Sequence, residues 1–328
     1  MSNPRSSGIK LGRLATEPPH AWWSRHRRPR APKASFGSPA ALSGARLWAL
    51  ACCAPALALV VVFFLYPFGV IVYHAFTQWD GIGPSRFTGL TNVRDLLSDS
   101  EFRLALRNNA IFALAVPLQV AISLVLAVLI YERTPGWRIF RAIFFLPVVM
   151  SPIVIGLMWT AIFDLHGPLN VILGDVGLSG LTRDWLGDPS TSIPAIMLVV
   201  LWATFGFNVT IFLAGLSAMS PILLDAARVD GGGWWASLRH VVIPSQRRVT
   251  ELVVVLNLIT SFAYMLPFVY VMTGGGPGYE TYVGELVIYD EGFNYGDLGY
   301  ASAVSLALFL VVSVLMLAYV RILKRAES

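Results

Sequence analysis

The sequence predicts an all-α integral membrane protein built on six membrane-crossing helices. Three observations carry that prediction. Of 328 residues, 56% are hydrophobic and only 13% charged, with mean hydropathy +0.66. Soluble domains keep about a quarter of their residues charged, so this chain lacks the charge to cover itself in water. The apolar residues are gathered into six long runs, and most of the basic residues fall in connections on one side of them.

The chain opens with a tail, residues 1–46, that carries "PPHAWWSRHRRPRAPKASFGSPA". It is rich in Pro, Arg and Ser and too poor in apolar residues to bury a core. It is expected to be a disordered, basic, cytoplasmic segment lying near anionic lipid headgroups. Residues 47–328 form the membrane domain. The first run, "LWALACCAPALALVVVFFLYPFGVIVY", starts at Leu47. Its length and its distance from the start argue for a retained helix over a cleaved signal peptide. Cys52 and Cys53 lie side by side inside it and can build neither a disulfide framework nor a metal set.

The second run covers about Asn109 to Tyr131 and the third about Ile139 to Phe163. The fourth covers about Ile193 to Met219, the fifth Leu252 to Met272 and the sixth Leu298 to Ile322. Each approaches or exceeds the roughly 20 residues that a helix needs to cross a bilayer. Barrel strands would be shorter and would alternate apolar with polar residues. Runs apolar on every side satisfy their backbone in lipid only as helices.

Charge gives the orientation. The tail, the second-to-third and fourth-to-fifth connections and the C-terminus hold 19 of the 24 Lys and Arg. The fifth-to-sixth connection has none, yet carries Glu280, Glu285, Asp290, Glu291 and Asp297. The positive-inside rule then places both termini in the cytoplasm. The pI near 9.4 reflects this sorting and implies no nucleic-acid partner.

Catalytic chemistry is not legible. The five histidines show no metal-type pair, and neither a nucleophile elbow nor a zinc helix motif occurs. "TGGGPG", Thr273 to Gly278, lacks the Gly-Lys-Ser/Thr ending of a phosphate-binding loop and reads as the turn that ends the fifth span. No catalytic residue, metal or cofactor is expected. The span centres hold no Asp, Glu, Lys, Arg or His, which removes the usual proton or sodium relay of an ion-coupled carrier. The alternative of a secondary transporter or channel would want such a charge, a selectivity sequence or an inverted repeat.

Between the fourth and fifth runs stands a polar interruption, "DAARVDGGGWWASLRHVVIP". Pro221 precedes a short helix with Asp225 near its favourable N-terminal end. Gly231, Gly232 and Gly233 stop that helix and allow a sharp turn. "WWASLRHVV" then forms a second short helix, which Pro244 is expected to end. Two helices meeting at a glycine corner make a compact cytoplasmic knob over about 221–245.

This stretch resembles the "EAA" loop of permeases of ATP-binding-cassette (ABC) importers. Asp225, Ala226, Ala227, Asp230, Gly231 and Pro244 stand at its spacing, with Asp for the usual Glu and Gly232 for the usual Ala. "YPFGVIVYHAFTQWDG", "FRAIFFLPVVMSPIVIGLMW" and "VMTGGGPGYET" resemble the carbohydrate-importer branch, the maltose/maltodextrin type, over about residues 47 to 325. The resemblance implies a type I ABC importer permease fold with cytoplasmic coupling helices, in a bacterial cell membrane. It implies half of a translocation pore for a di- or oligosaccharide. Its implied partners are a second homologous permease, a cytoplasmic ATPase dimer docked on the loop and an extracytoplasmic solute-binding protein. ATP hydrolysis would then belong to the partner.

By the same resemblance, the sugar site is lined by Trp202, Thr204 and Phe207 of the fourth span and Ser261, Tyr264 and Met265 of the fifth. Ser261, Tyr264 and Met265 also stand at i, i+3 and i+4, which in a continuous helix is one face. Aromatic faces beside hydroxyls suit a sugar ring.

Overall fold

The computed structural model describes residues 51–220, 222–223, 229 and 233–325. The chain divides into a unit ending at Val61 and a larger one from Val62 onward. Among the described residues, five helices are long and apolar enough to cross a membrane: α1 (Ala51–His74), Ser100–Tyr131, Pro152–Asp175, Ser192–Ala218 and Leu298–Arg325. A bent pair, Arg247–Ala263 with Leu266–Met272, supplies the sixth.

After α1, strands β1 (Thr77–Gln78) and β2 (Arg86–Phe87) pair antiparallel, Thr77 opposite Phe87, and helix α2 (Thr91–Ser98) follows. This small ribbon was not evident from the apolar pattern. It is fastened by Asn92, whose amide donates to the carbonyls of Ala75 and Thr77 at 3.1 and 2.9 Å.

The second span is α3 (Ser100–Leu114) and α4 (Val116–Tyr131), starting well before Asn109. Asp99 caps α3 by accepting from the Glu101 N–H at 2.8 Å, so the polar residues before the apolar run belong to the helix.

The third span differs from expectation. Helix α5 (Trp137–Phe145) stops at a 3₁₀ turn, Leu146–Val149, before α6 (Pro152–Phe163) and α7 (Pro168–Asp175). Pro147 and Pro152 lack the N–H a continuous helix needs, so an unbroken run from Ile139 is not formed. The crossing segment is Pro152–Asp175.

The fourth span is the single helix α8 (Ser192–Ala218). It comes close to its neighbours at two glycines. A side chain at Gly206 would collide with the Phe144 carbonyl oxygen, and one at Gly215 with the amide of Gln246.

Past the knob, α9 (Trp234–Ser237) continues through Leu238–Val242 into Ile243–Ser245. Pro244 therefore does not end this helix. It sits in the first turn of that last piece, where no N–H is needed, and the chain turns one residue beyond Ser245, at Gln246. Helices α10 (Arg247–Ala263) and α11 (Leu266–Met272) form the fifth span. The turn after Met272 takes left-handed dihedrals at Gly274 (φ 59°) and Gly275 (φ 90°), as a glycine turn ending the span requires. A short helix α12 (Gly284–Tyr289) precedes the sixth span, α13 (Leu298–Arg325).

Two apolar clusters hold the larger unit. One joins α6, the first half of α8, α11, α12 and α13 around Ile155, Ile196, Val269, Leu286 and Val304. The other joins α4, the second half of α8, α9 and α10 around Ala127, Phe212, Leu216, Val242 and Val253. A hollow opens where α8 and the bent span meet α6.

Candidate transport site

The bend in the fifth span organises the site. Pro267 has no N–H for the Ala263 carbonyl, and its ring would clash with that carbonyl in a continuous helix. Helix α10 therefore ends at Ala263, Tyr264 leaves helical dihedrals (φ −145°, ψ 18°), and α11 departs at 46°.

In an unbroken helix the Met265 N–H would donate to the Ser261 carbonyl. Here the two halves of that bond are taken by other segments of the fold. Asn109 Nδ2 donates to the Ser261 oxygen at 2.7 Å, and the Met265 N–H donates to Glu285 Oε1 at 2.9 Å. Asn109 closes the set by donating to Glu285 Oε2 at 3.1 Å and accepting from the Gly284 N–H at 2.8 Å. Backbone groups freed by a helix break in lipid must find such partners.

The bend turns the Tyr264 ring outward into a concavity of about 420 Å³. Its walls include Ile155 of α6, Thr204 and Phe207 of α8, Thr260 and Tyr264 of α10 and its end, and Phe268 of α11. Tyr264 is 55% exposed and Phe207 52%. Thr204 Oγ1 donates to the Val200 carbonyl at 2.7 Å and accepts from Gln119 Nε2 of α4. The result is an apolar hollow with three aromatic rings and three hydroxyl-bearing residues at its wall, the mixture that holds a polar ring compound.

Of the six residues expected here, Thr204, Phe207 and Tyr264 share this concavity. The other three face elsewhere. Trp202 packs edge-on against Trp159, ring centroids 5.7 Å apart. Ser261 is buried and donates to the Asn257 carbonyl at 3.0 Å. Met265 is buried in the core between α3, α8 and α12. The i, i+3, i+4 face does not exist, because the helix stops at Ala263 before the pattern completes. Of the loop residues, Asp225, Ala226, Ala227, Asp230 and Gly231 lie outside the described residues.

Two polar features escaped the sequence reading. Asn208 of α8 and Asn257 of α10 exchange amide hydrogen bonds at 3.2 and 3.1 Å in a buried position. Glu285 counts as a connection residue in the sequence, yet it reaches the bend. Asn and Gln inside apolar runs (Asn109, Gln119, Asn208, Asn257) were the available signal, since polar groups in spans bind neighbouring helices.

Among the described residues, the candidate spans, the broken fifth and the concavity at its bend fit a membrane transport protein. Similarity to known proteins gives the family. Residues 102–328 match the family described as "Binding-protein-dependent transport system inner membrane component", and the chain belongs to it. It is 33% identical to the "Probable ABC transporter permease protein YurN" of Bacillus subtilis, over 83% of this chain and 94% of that one. It is 32% identical to the "Diacetylchitobiose uptake system permease protein NgcF" of Streptomyces coelicolor, over 79% and 77%. In fold it is similar to a chain of a bacterial ABC transporter involved in import of the acidic polysaccharide alginate, with a TM-score of 0.75 at 21% identity, covering 89% of this chain and all of the other.

Proposed function

We propose that this permease carries a di- or oligosaccharide, and that Thr204, Phe207 and Tyr264 contact the sugar in its half of the pore. The observation that carries the reading is the concavity at the bend, where an exposed tyrosine and an exposed phenylalanine stand beside two threonines. Such rings stack on the C–H faces of sugars while hydroxyls take the polar rim. Relatives named for sugar uptake support the substrate class.

The pore is completed by a second, homologous permease, and ATP is hydrolysed by a dimer of separate subunits. Those subunits dock on the loop at about 221–245 through Asp225, Ala226, Ala227, Asp230, Gly231 and Pro244. A solute-binding protein delivers the sugar from the opposite face, a reading supported by a bacterial alginate ABC transporter of similar fold solved in complex with an alginate pentasaccharide-bound periplasmic protein. Both termini and the 1–46 tail lie in the cytoplasm, as the basic asymmetry supports. Trp202, Ser261 and Met265 hold the walls of the site from behind.

Reconstitution tests the reading. With both permeases, the ATPase and the binding protein in vesicles, labelled disaccharide should accumulate only with ATP. Tyr264→Ala should lower uptake while the complex still assembles. Wild-type uptake by that variant over a range of sugar concentrations would place the site elsewhere.

A further inference from the structure

One hydrogen bond ties the knob to a span that is distant from it in sequence. Trp234, the first residue of α9, donates from Nε1 to Glu132 Oε2 at 3.0 Å. Glu132 is the C-cap of α4, the inner end of the second span.

Local rules argue against this residue at this place. A carboxylate at the carbonyl end of a helix opposes the helix dipole. The next residue, Arg133, takes a left-handed conformation (φ 53°) that a side chain disfavours, and Gly136 shortly after does the same (φ 88°). The turn is nonetheless held closed by the Arg133 and Thr134 N–H groups, which donate to Ile130 and Leu129 at 3.1 Å each. Two unfavourable choices in succession hold an acid where an indole N–H can reach it. Locally costly choices of this kind gather at functional sites.

The residues that continue α9 are packed into the bundle. Leu238 and Val242 are buried in the cluster that includes Ala127, Phe212 and Val253. Ser245 donates to Met219 Sδ at 3.0 Å, beside the end of α8. That contact and the chain itself link α9 to the fourth and fifth spans, which flank the knob. The second span is not joined to α9 along the chain; the apolar cluster packs the two together through Ala127, and the Glu132 bond adds the directional polar tie between them.

We propose that Glu132 is a positioning residue for coupling: through Trp234 it makes the second span move with the loop that meets the ATPase. This rests on the proposed function. A partly buried bond between a neutral donor and a carboxylate is strong enough and directional enough to transmit displacement where a lipid-like contact would slip. The bent fifth span and the second span would then be carried together, and they are the two that Asn109 and Glu285 join at the other end of the site.

The test uses the whole reconstituted complex and reads sugar transported per ATP hydrolysed. Glu132→Ala and Trp234→Phe should each lower that ratio about fivefold or more, the usual lower range of coupling between sites, with the ATPase still bound. Glu132→Gln, whose amide oxygen accepts the same N–H, should stay near wild type. The Glu132→Ala, Trp234→Phe double variant should be no worse than either single one. Trp234→Phe keeps an aromatic ring against the core and carries the test if Glu132→Ala does not fold. An unchanged ratio in both single variants, or losses that multiply in the double one, would overturn the proposal. A wild-type complex that binds no ATPase would instead overturn the proposed function itself, and the coupling role with it.

Discussion

The Met265 N–H donates to Glu285 Oε1 at 2.9 Å, in place of the helical bond to the Ser261 carbonyl that is lost where the fifth span bends. An acid from beyond the glycine turn thereby caps the bend, and Asn109 of the second span satisfies the other side. The pair converts what would be two orphaned backbone groups into a fixed corner.

Removing that cap should be costly. Glu285→Leu leaves the Met265 N–H and one Asn109 N–H without acceptors. Each unpaired buried donor costs roughly 1–3 kcal/mol. The thermal midpoint of the purified protein in detergent should fall clearly, and Glu285→Gln, which keeps one acceptor oxygen, should lie between. An undisturbed midpoint for Glu285→Leu would mean that the bend does not depend on the cap.

The asparagine pair gives a contrast between breaking and replacing. Asn208→Leu leaves the Asn257 Oδ1 without its donor, while the Asn257 amide keeps its bond to the Val253 carbonyl; it should destabilise by roughly 1–3 kcal/mol, as should Asn257→Leu. Replacing both should recover most of the loss, because no polar group is left without a partner. Melting of the two single variants and the double one decides this, and equal or greater loss in the double variant would contradict it.

The concavity separates two kinds of site residue. Phe207→Ala should impair sugar uptake with little change in melting temperature, since its ring is half exposed. Met265→Ala should do the reverse in its primary effect. Emptying a buried methionine position costs about 2–5 kcal/mol, so its signature is a lower melting temperature. Transport per folded complex, measured beside thermal melting, tells the two apart.

Acidity should act on the connection between the fifth and sixth spans. Burial, and then the charges of Asp297, Asp99, Glu101 and Asp290, push the Glu291 carboxyl above the usual glutamate range. Its folded form thus binds a proton that the unfolded chain has already released. The stability owed to this group is present at acidic pH and declines as pH rises from the ordinary glutamate value through the raised one. Glu291→Gln should flatten the pH dependence of the melting temperature in that window. A wild-type slope in the variant would assign the effect to other groups.

Topology is open to a direct check. Reporter fusions after Ser98, Asp188 and Glu291 should all read on the outer side of the membrane. A cytoplasmic signal from any of them would overturn the orientation drawn from the basic residues.

By itself the sequence determined the membrane class and the approximate spans. These rest on composition and on run length, which need no knowledge of neighbours. The glycine turn after Met272 was legible too, because left-handed backbone is written into glycine. The tertiary structure alone decided where the spans break and which polar groups meet. Pro147, Pro152 and Pro267 all fall within the predicted third and fifth runs, and a hydropathy run does not register a missing N–H. Glu285 counted only as an acidic connection residue because its partners, Met265 and Asn109, stand far from it along the chain. Trp202, Ser261 and Met265 were drawn to the site by family resemblance, and Ser261 and Met265 also by their positions in a helix assumed continuous. The 46° bend at Tyr264 redirects the rest of the fifth span, so that only Thr204, Phe207 and Tyr264 of the six share the hollow.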